Sequence, residues 1–455
     1  MNSTRSSVHG EWSTRLAFIL AATGSAVGLG NIWRFPYMAG ENGGGAFVIV
    51  YLACVLLIGL PIMMSEVLTG RRGRRNPMDS LKAVAEDEGR STVWQYAGLM
   101  GIVTGVFILS FYSVVAGWAL AYVPNAARGL FAGMTEIQSE VMFDRLTANP
   151  WLLLGWHTLF MGMTVAVTIR GVRHGLEKAV RILMPALFVL LLVMVGYGMQ
   201  IGDFERAVEF LFRPDFGALG TTGVLAAMGQ AFFTLSLGMG AIMIYGSYLP
   251  SKASIPGSAV VIALTDTLVA VLAGLAIFPI VFGSMLEPSA GPGLVFLTLP
   301  LAFGQMPYGS FFATVFFVLL VFGAWTSAIS LMEPIVTWLV ERINLSRVSA
   351  SLLAGGGIWL LGIGSVLSFN TWSGYTLFDM TFFDVLDSLT ANIMLPLGGL
   401  FIALFAGWVV SRKVSAEELE GAPAWVYPAW RFVIRYITPV AVLAVFLNAI
   451  GVFQN

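Results

Sequence analysis

Gly24-Ser25-Ala26-Val27-Gly28-Leu29-Gly30-Asn31-Ile32-Trp33-Arg34-Phe35-Pro36 puts three glycines, an asparagine, an arginine and a proline inside a stretch otherwise apolar enough to cross a membrane. Backbone can leave the helix at bilayer depth only where protein or a water-filled cavity satisfies its freed N–H and C=O groups. The break therefore marks a candidate binding site. A second break, Ser236-Leu237-Gly238-Met239-Gly240, follows about half a chain later. Glycine-interrupted apolar segments at corresponding positions of two halves point to a transporter's substrate site.

Composition puts the rest of the chain in the same solvent. Of 455 residues, 57% are hydrophobic and 11% charged, against about 25% charged in an average soluble domain. Apolar runs long enough to cross a bilayer predict eleven spans, at 14-40, 45-70, 93-126, 150-170, 177-201, 222-249, 255-285, 310-341, 350-369, 383-411 and 427-453. Arginines and lysines gather on alternate connectors, most densely at Arg71, Arg72, Arg74 and Arg75. By the positive-inside bias the N-terminus is expected in the cytoplasm of a cell whose plasma (inner) membrane holds the chain, and the C-terminus outside. Met1 to Trp12 is polar and lacks the apolar core of a cleavable signal, so the first span is expected to direct insertion. The net charge of −1 gives no reason to expect a nucleic-acid partner, and the single cysteine, Cys54, leaves no disulfide framework.

The paired breaks in spans one and six fit an all-α integral membrane protein built as two five-span repeats in inverted orientation plus one extra helix. The expected boundaries are a cytoplasmic segment 1-12, a first repeat 13-201, an outer loop 202-221, a second repeat 222-411, and a cytoplasmic loop and final helix 412-455. The connectors 127-149 and 286-309 read as lids, the latter with short helical pieces among Pro288, Pro292, Pro300 and Pro307.

Motifs for chemistry are absent. There is no GxxxxGK[ST], HExxH or GxSxG and no Cys/His metal spacing, and the three histidines, His9, His157 and His174, lie near span ends or in the tail. The reading is therefore not an enzyme, with no organic cofactor, and uphill movement driven by an ion gradient or another subunit. A channel would need a filter or charged ring repeated by symmetry. Ionisable residues within spans mark function by default, because each costs roughly 2.5–3.5 kcal/mol at a helix centre. These are Arg34, Glu66, Asp266, Glu333, Asp384 and Asp387.

The run from Trp12 through Gly24 to Pro36, then Glu41-Asn42-Gly43-Gly44-Gly45-Ala46-Phe47, resembles the first-helix signature of the neurotransmitter:sodium symporter family, in its bacterial amino-acid transporter branch. The resemblance continues through Gly59-Leu60-Pro61, Glu66, Phe111-Tyr112, Gly117-Trp118, Gly229 to Gly240, and Thr326-Ser327, and so covers essentially the whole chain. It implies the LeuT-like fold, with spans one and six unwound at mid-membrane, and sodium-coupled symport of a small molecule by alternating access.

The resemblance also implies residue roles. A first sodium site would use Ala26, Asn31, Thr234, Asp266 and the substrate carboxylate. A second would use Gly24, Val27, Gly323, Thr326 and Ser327. For the Thr and Ser hydroxyls the alternative is back-bonding to a helix carbonyl. The amides of Leu29 and Gly30 and the Tyr112 hydroxyl would hold a carboxylate, and carbonyls of Ala26, Phe233 and Thr234 with Ser236 an ammonium. Side-chain selection would fall to Gly28, Ile108, Phe233, Met239, Ser327 and Leu331, which offer no fixed charge. The expected substrate is thus a hydrophobic, even aromatic, L-amino acid, the alternative being a GABA-, taurine- or betaine-like solute, conceivably coupled to protons.

Arg34 and Asp387 match the outer gate with Phe233 as lid, and Trp12, Tyr248 and Glu341 match the inner network. The family's inner arginine position is His9 here, leaving His9 or Arg5 for that role. Asp266 stands where the best-known bacterial member has asparagine. In animal relatives chloride binds near the residues matching Tyr51, Gln230, Thr234 and a serine that is Ala270 here. A fixed carboxylate at 266 would replace that chloride, so chloride is not expected. The expected partners are the substrate, sodium and the bilayer, with the oligomeric state open.

Overall fold

A helix that must stop at mid-membrane needs residues that let it stop, and Gly24 to Gly30 supply them. In the computed structural model, which describes residue 7 and residues 9–287 and 293–449, the first span is Arg15–Ala26 followed by Gly30–Glu41, bent by 47°. Thr14 caps the first piece through Ala17 N–H, and Val27 leaves the helix in an extended conformation. The sixth span breaks in the same way. Phe216–Thr234 ends before a stretch in which Ser236, Gly238 and Gly240 take φ values of 54°, 78° and 77°, and the helix resumes at Ala241–Ser247. Glycine adopts that left-handed region at no steric cost, whereas Ser236 is held there against preference.

The described residues are otherwise helical. Among the described residues nine helices are long and apolar enough to cross a membrane, one of them Phe216–Thr234 with a kink at Gly220, and the bent first span makes ten. The expected eleventh, over 427-453, is helical in three successive pieces from Val426 to Ala449, but it is not among those ten and its end lies outside the described residues. The count of eleven is therefore not established. Pro124, Pro185, Pro279 and Pro334 sit inside spans three, five, seven and eight, as neighbouring helices in a bilayer permit.

Between the spans lie helices that hydropathy alone did not separate. Pro77–Asp87 starts at Asn76, whose side chain accepts from Asp79 N–H, and Phe204–Phe212 starts at Asp203. The connector 127-149 carries the helix Glu136–Thr147, opened by a Thr135/Gln138 capping box. Of 286-309, Leu294–Gln305 is helical and buried, while Pro288 and Pro292 fall outside the described residues.

Spans three (Thr92–Ala127) and eight (Gly309–Ile343) are the most enclosed and pack along each other, flanking the broken pair. Span two reaches the second half of span six through Gly70, where a Cβ would lie 1.9 Å from Met243 O. No larger residue fits without moving backbone.

Candidate transport site

The two breaks face each other across a narrow cavity of about 310 Å³ of empty space, lined by Ser25, Ala26, Gly28, Gly30, Ile108, Tyr112, Phe233, Ser236, Met239, Ser327 and Leu331. The structure brings ten of these together from the sequence expectation and adds Ser25. Its polar groups combine main chain with the Tyr112, Ser236 and Ser327 hydroxyls. Leu29 N–H donates to Tyr112 Oη at 3.4 Å, and the Ser236 and Ser327 hydroxyls both donate to Ser25 O, at 2.8 and 3.1 Å. The opposite wall is Ile108, Met239 and Leu331, all buried and apolar.

Two oxygen clusters flank this cavity. Ser327 Oγ stands 3.4 Å from both Gly24 O and Val27 O as well as 3.1 Å from Ser25 O, and Thr326 Oγ1 lies 3.0 Å from Gly323 O. One hydroxyl proton cannot satisfy three carbonyls, so the oxygens exceed the donors, the surplus that a hard cation balances. The Thr326 hydroxyl also reaches Phe322 O at 3.2 Å, so the back-bonding alternative is realised for its proton while its lone pairs stay free.

The second cluster centres on Asp266, fully buried. Its carboxylate accepts from Asn31 Nδ2 at 2.7 Å, from Thr234 Oγ1 at 3.1 Å and from Tyr51 Oη at 3.3 Å. Asn31 Oδ1 meanwhile accepts from Gly28 N–H at 3.1 Å. A cation between Asn31 and Asp266 requires the carboxamide to turn its oxygen inward, so the residues fit a cation after that one rotation. Gln230 donates to Gly30 O at 2.7 Å, and its Oε1 is buried without a partner. Among the described residues no cluster of three or more His, Cys, Asp or Glu could hold a transition metal.

The outer-gate residues Arg34 and Asp387 both lie near Tyr37. Arg34 and Asp387 do not pair within the 4.0 Å of an ion pair. The Arg34 guanidinium lies instead over the Phe233 ring, 4.7 Å from its centroid, with Nη1 buried and unpartnered. An aromatic face attracts the cation there, while Asp387 remains half-buried on span ten.

The residues expected to form the inner network come together. Trp12 N–H donates to Tyr248 O and its indole N–H to Tyr245 O, each at 3.0 Å. His9 Nε2 meets Glu341 Oε1 at 2.9 Å, and Glu341 Oε2 accepts from Asn76 N and Nδ2 at 2.9 and 2.6 Å. Arg5 lies outside the described residues. Tyr248 does not join Glu341 through its hydroxyl. That group donates to Glu333 at 2.8 Å, and Glu333 is forked by Arg347 at 3.0 and 2.5 Å. Arg347 and Asn76 were missed from sequence, although Asn76-Pro77 is a visible helix-start signal. Glu66 accepts from Gly238 N–H at 2.7 Å, joining span two to the second break.

The family model described as the sodium:neurotransmitter symporter family matches residues 9–132 and 137–455. The chain belongs to that family. Among curated relatives of this symporter family, the uncharacterized sodium-dependent transporter YhdH of Bacillus subtilis (strain 168) is 39% identical over 447 residues, 98% of each chain. A sodium-dependent dopamine transporter of Bos taurus is 25% identical, covering 97% of this chain and 69% of its own. The crystal structure of MhsT in complex with L-phenylalanine is 44% identical and superposes with a TM-score of 0.90 over 97% of this chain and 99% of that one. The fold is thus that of a multi-pass symporter, and its relatives are named as sodium-dependent transporters.

Proposed function

We infer that this symporter imports a hydrophobic, up to aromatic, L-amino acid by alternating access, with sodium as the driving cargo. The observation that carries the reading is the cavity itself, lined by main chain, hydroxyls and apolar side chains with no charged residue. The N-terminal amides of the half-helix that begins near Gly30 offer positive partial charge to a carboxylate, and the carbonyl end of Phe216–Thr234 offers negative partial charge to an ammonium. Leu29, Gly30 and Tyr112 take the first group; Ala26, Phe233, Thr234 and Ser236 take the second. Ile108, Met239 and Leu331 then receive the side chain, with Met239 able to re-pack around a large one. That MhsT was crystallised with L-phenylalanine supports this end of the reading.

Two sodium ions fit the two oxygen clusters. One would sit among Ala26, Asn31, Thr234 and Asp266 with the substrate carboxylate completing its shell, which couples ion to substrate. The other would sit among Gly24, Val27, Gly323, Thr326 and Ser327, tying span one to span eight. Asp266 supplies the negative charge in a low-dielectric site where an unbalanced cation is costly, so chloride is not required. The N-terminus lies in the cytoplasm and the protein in the plasma membrane.

The test is equilibrium binding of labelled L-phenylalanine to purified protein in sodium and in choline, with competing solutes. Binding should need sodium, and leucine, phenylalanine and tryptophan should compete where GABA, taurine and betaine do not. Equal binding in choline would overturn sodium coupling, and displacement by the second group alone would overturn the substrate class.

A further inference from the structure

The C-terminal helix meets span ten through two π-helical turns, Phe405–Val409 and Val433–Ile437. Such turns re-aim side chains and are frequent at functional sites. Gly407 permits the approach, since a Cβ there would lie 3.0 Å from Arg435 Cγ. The result is a stacked cation. The guanidinium carbon of Arg435 lies 4.2 Å from the Trp408 ring centroid and 5.7 Å from that of Tyr436. The Trp408 indole N–H donates to Arg435 O at 3.3 Å and fixes the ring. Among the described residues nothing accepts from this guanidinium, and Nε is buried without a partner.

Other cations stand on the adjoining elements, where Glu88 accepts from Ser411 Oγ at 3.1 Å. Arg431 reaches Ser415 Oγ at 2.9 Å and Val410 O at 3.5 Å but no carboxylate, and Arg412 and Lys413 are exposed at the start of the helix Arg412–Glu418. The acids of that helix are engaged elsewhere, Glu418 by Arg71 and Arg72 and Glu417 by Arg72.

Aromatic rings fix the depth of this cluster. Trp408 and Tyr436 are about half-exposed, and amphipathic rings of this kind collect at headgroup level. Beyond them along the helix, away from the connector, Val440 and Leu443 present exposed apolar surface. Stacking covers the face of a guanidinium and leaves its in-plane N–H edge, the edge that grips a phosphate in bidentate fashion. Basic pockets between spans recognise anionic headgroups in this way.

We propose that Arg435, stacked on Trp408 and supported by Arg431, Arg412 and Lys413, binds the phosphate of an anionic phospholipid whose acyl chains lie along Val440 and Leu443. The continuous apolar surface beneath the charge selects a lipid over free phosphate.

The experiment is thermal melting of the purified full chain in dodecyl maltoside, with added phosphatidylglycerol or phosphatidylcholine of identical acyl chains. Phosphatidylglycerol should raise the midpoint by several degrees and phosphatidylcholine by less than half as much. Arg435→Gln should lose more than half of the difference. Arg206→Gln removes a guanidinium stacked 4.5 Å from the Phe282 centroid, at another end of the molecule, and should keep the difference. Should Arg435→Gln fail to fold, the exposed Arg412→Gln/Lys413→Gln double variant should retain fewer phosphatidylglycerol molecules than unmodified protein in native mass spectrometry. Equal shifts from both lipids, a difference unchanged in Arg435→Gln, unchanged retention in the double variant, or the same shift from inorganic phosphate alone would each overturn the proposal.

Discussion

Replacing Arg347 by glutamine should destabilise the fold far more than replacing an average interfacial arginine. Glu333 is fully buried, and its carboxylate depends on two N–H donors of Arg347 and the Tyr248 hydroxyl. Arg347→Gln leaves that charge with Tyr248 alone, and stranding one partner of a buried pair costs about 3–5 kcal/mol. Glu333→Gln is milder. Arg347 retains 18% side-chain exposure and still donates to Thr168 O at 2.9 Å, so the loss approaches that of a charged hydrogen bond, about 1.5–3 kcal/mol. In the double variant two neutral amides can hydrogen-bond each other, and the cost should fall to about 1–2 kcal/mol, since a buried pair contributes little beyond a well-packed neutral replacement. Additivity would demand a loss of about 4.5–8 kcal/mol, so the coupling is about 3 kcal/mol or more. The assay is unfolding of the purified variants in mixed dodecyl maltoside and SDS micelles, followed by tryptophan fluorescence. An Arg347→Gln loss below about 1 kcal/mol, or an additive cycle, would refute the claim that Glu333 depends on Arg347.

Gly28→Ala would put a Cβ 2.2 Å from Ser327 Oγ and 3.0 Å from Tyr112 Oη; saturation binding should show at least a tenfold loss of substrate affinity, and an unchanged affinity would remove Gly28 from the cavity wall. Asn31→Ala and Thr326→Ala should each raise the sodium concentration for half-maximal binding, by about tenfold per 1.4 kcal/mol of ligand energy lost. A sodium titration that superposes on the unmodified curve would argue against that ion position. Replacing chloride by gluconate should leave uptake into proteoliposomes unchanged, whereas Asp266→Asn should lower it at neutral pH; a strict chloride requirement would contradict charge compensation by Asp266.

The breaks were legible in sequence because they are local: Gly24, Gly28, Gly30, Gly238 and Gly240 interrupt apolar runs whatever they later touch. The same locality made the cavity residues readable, since most lie within a few positions of a break. Span six, 222-249, was readable with its break, but its helix starts earlier, at Phe216. Charge partners were not legible. Glu333 finds Arg347 only once spans eight and nine fold back on each other, and Asn76 reaches Glu341 across 265 positions of sequence. The Arg34 and Asp387 pairing rests on their shared side of the membrane and on resemblance, and whether two such side chains touch depends on how far the outer path is closed. Arg34 on Phe233 is one arrangement of that path.

The polar groups in and beside the cavity include main-chain atoms at Gly24, Ser25, Val27 and Leu29, together with the Tyr112, Ser236 and Ser327 hydroxyls. Carbonyls and amides are the same in every residue, so a point mutation cannot delete them unless it straightens the break. On the proposed reading, ion coupling and cargo choice are genetically separable. Substitutions at Ile108, Met239 or Leu331 can shift nutrient preference in single steps, and a lineage of such carriers can diversify its diet while keeping its energy source.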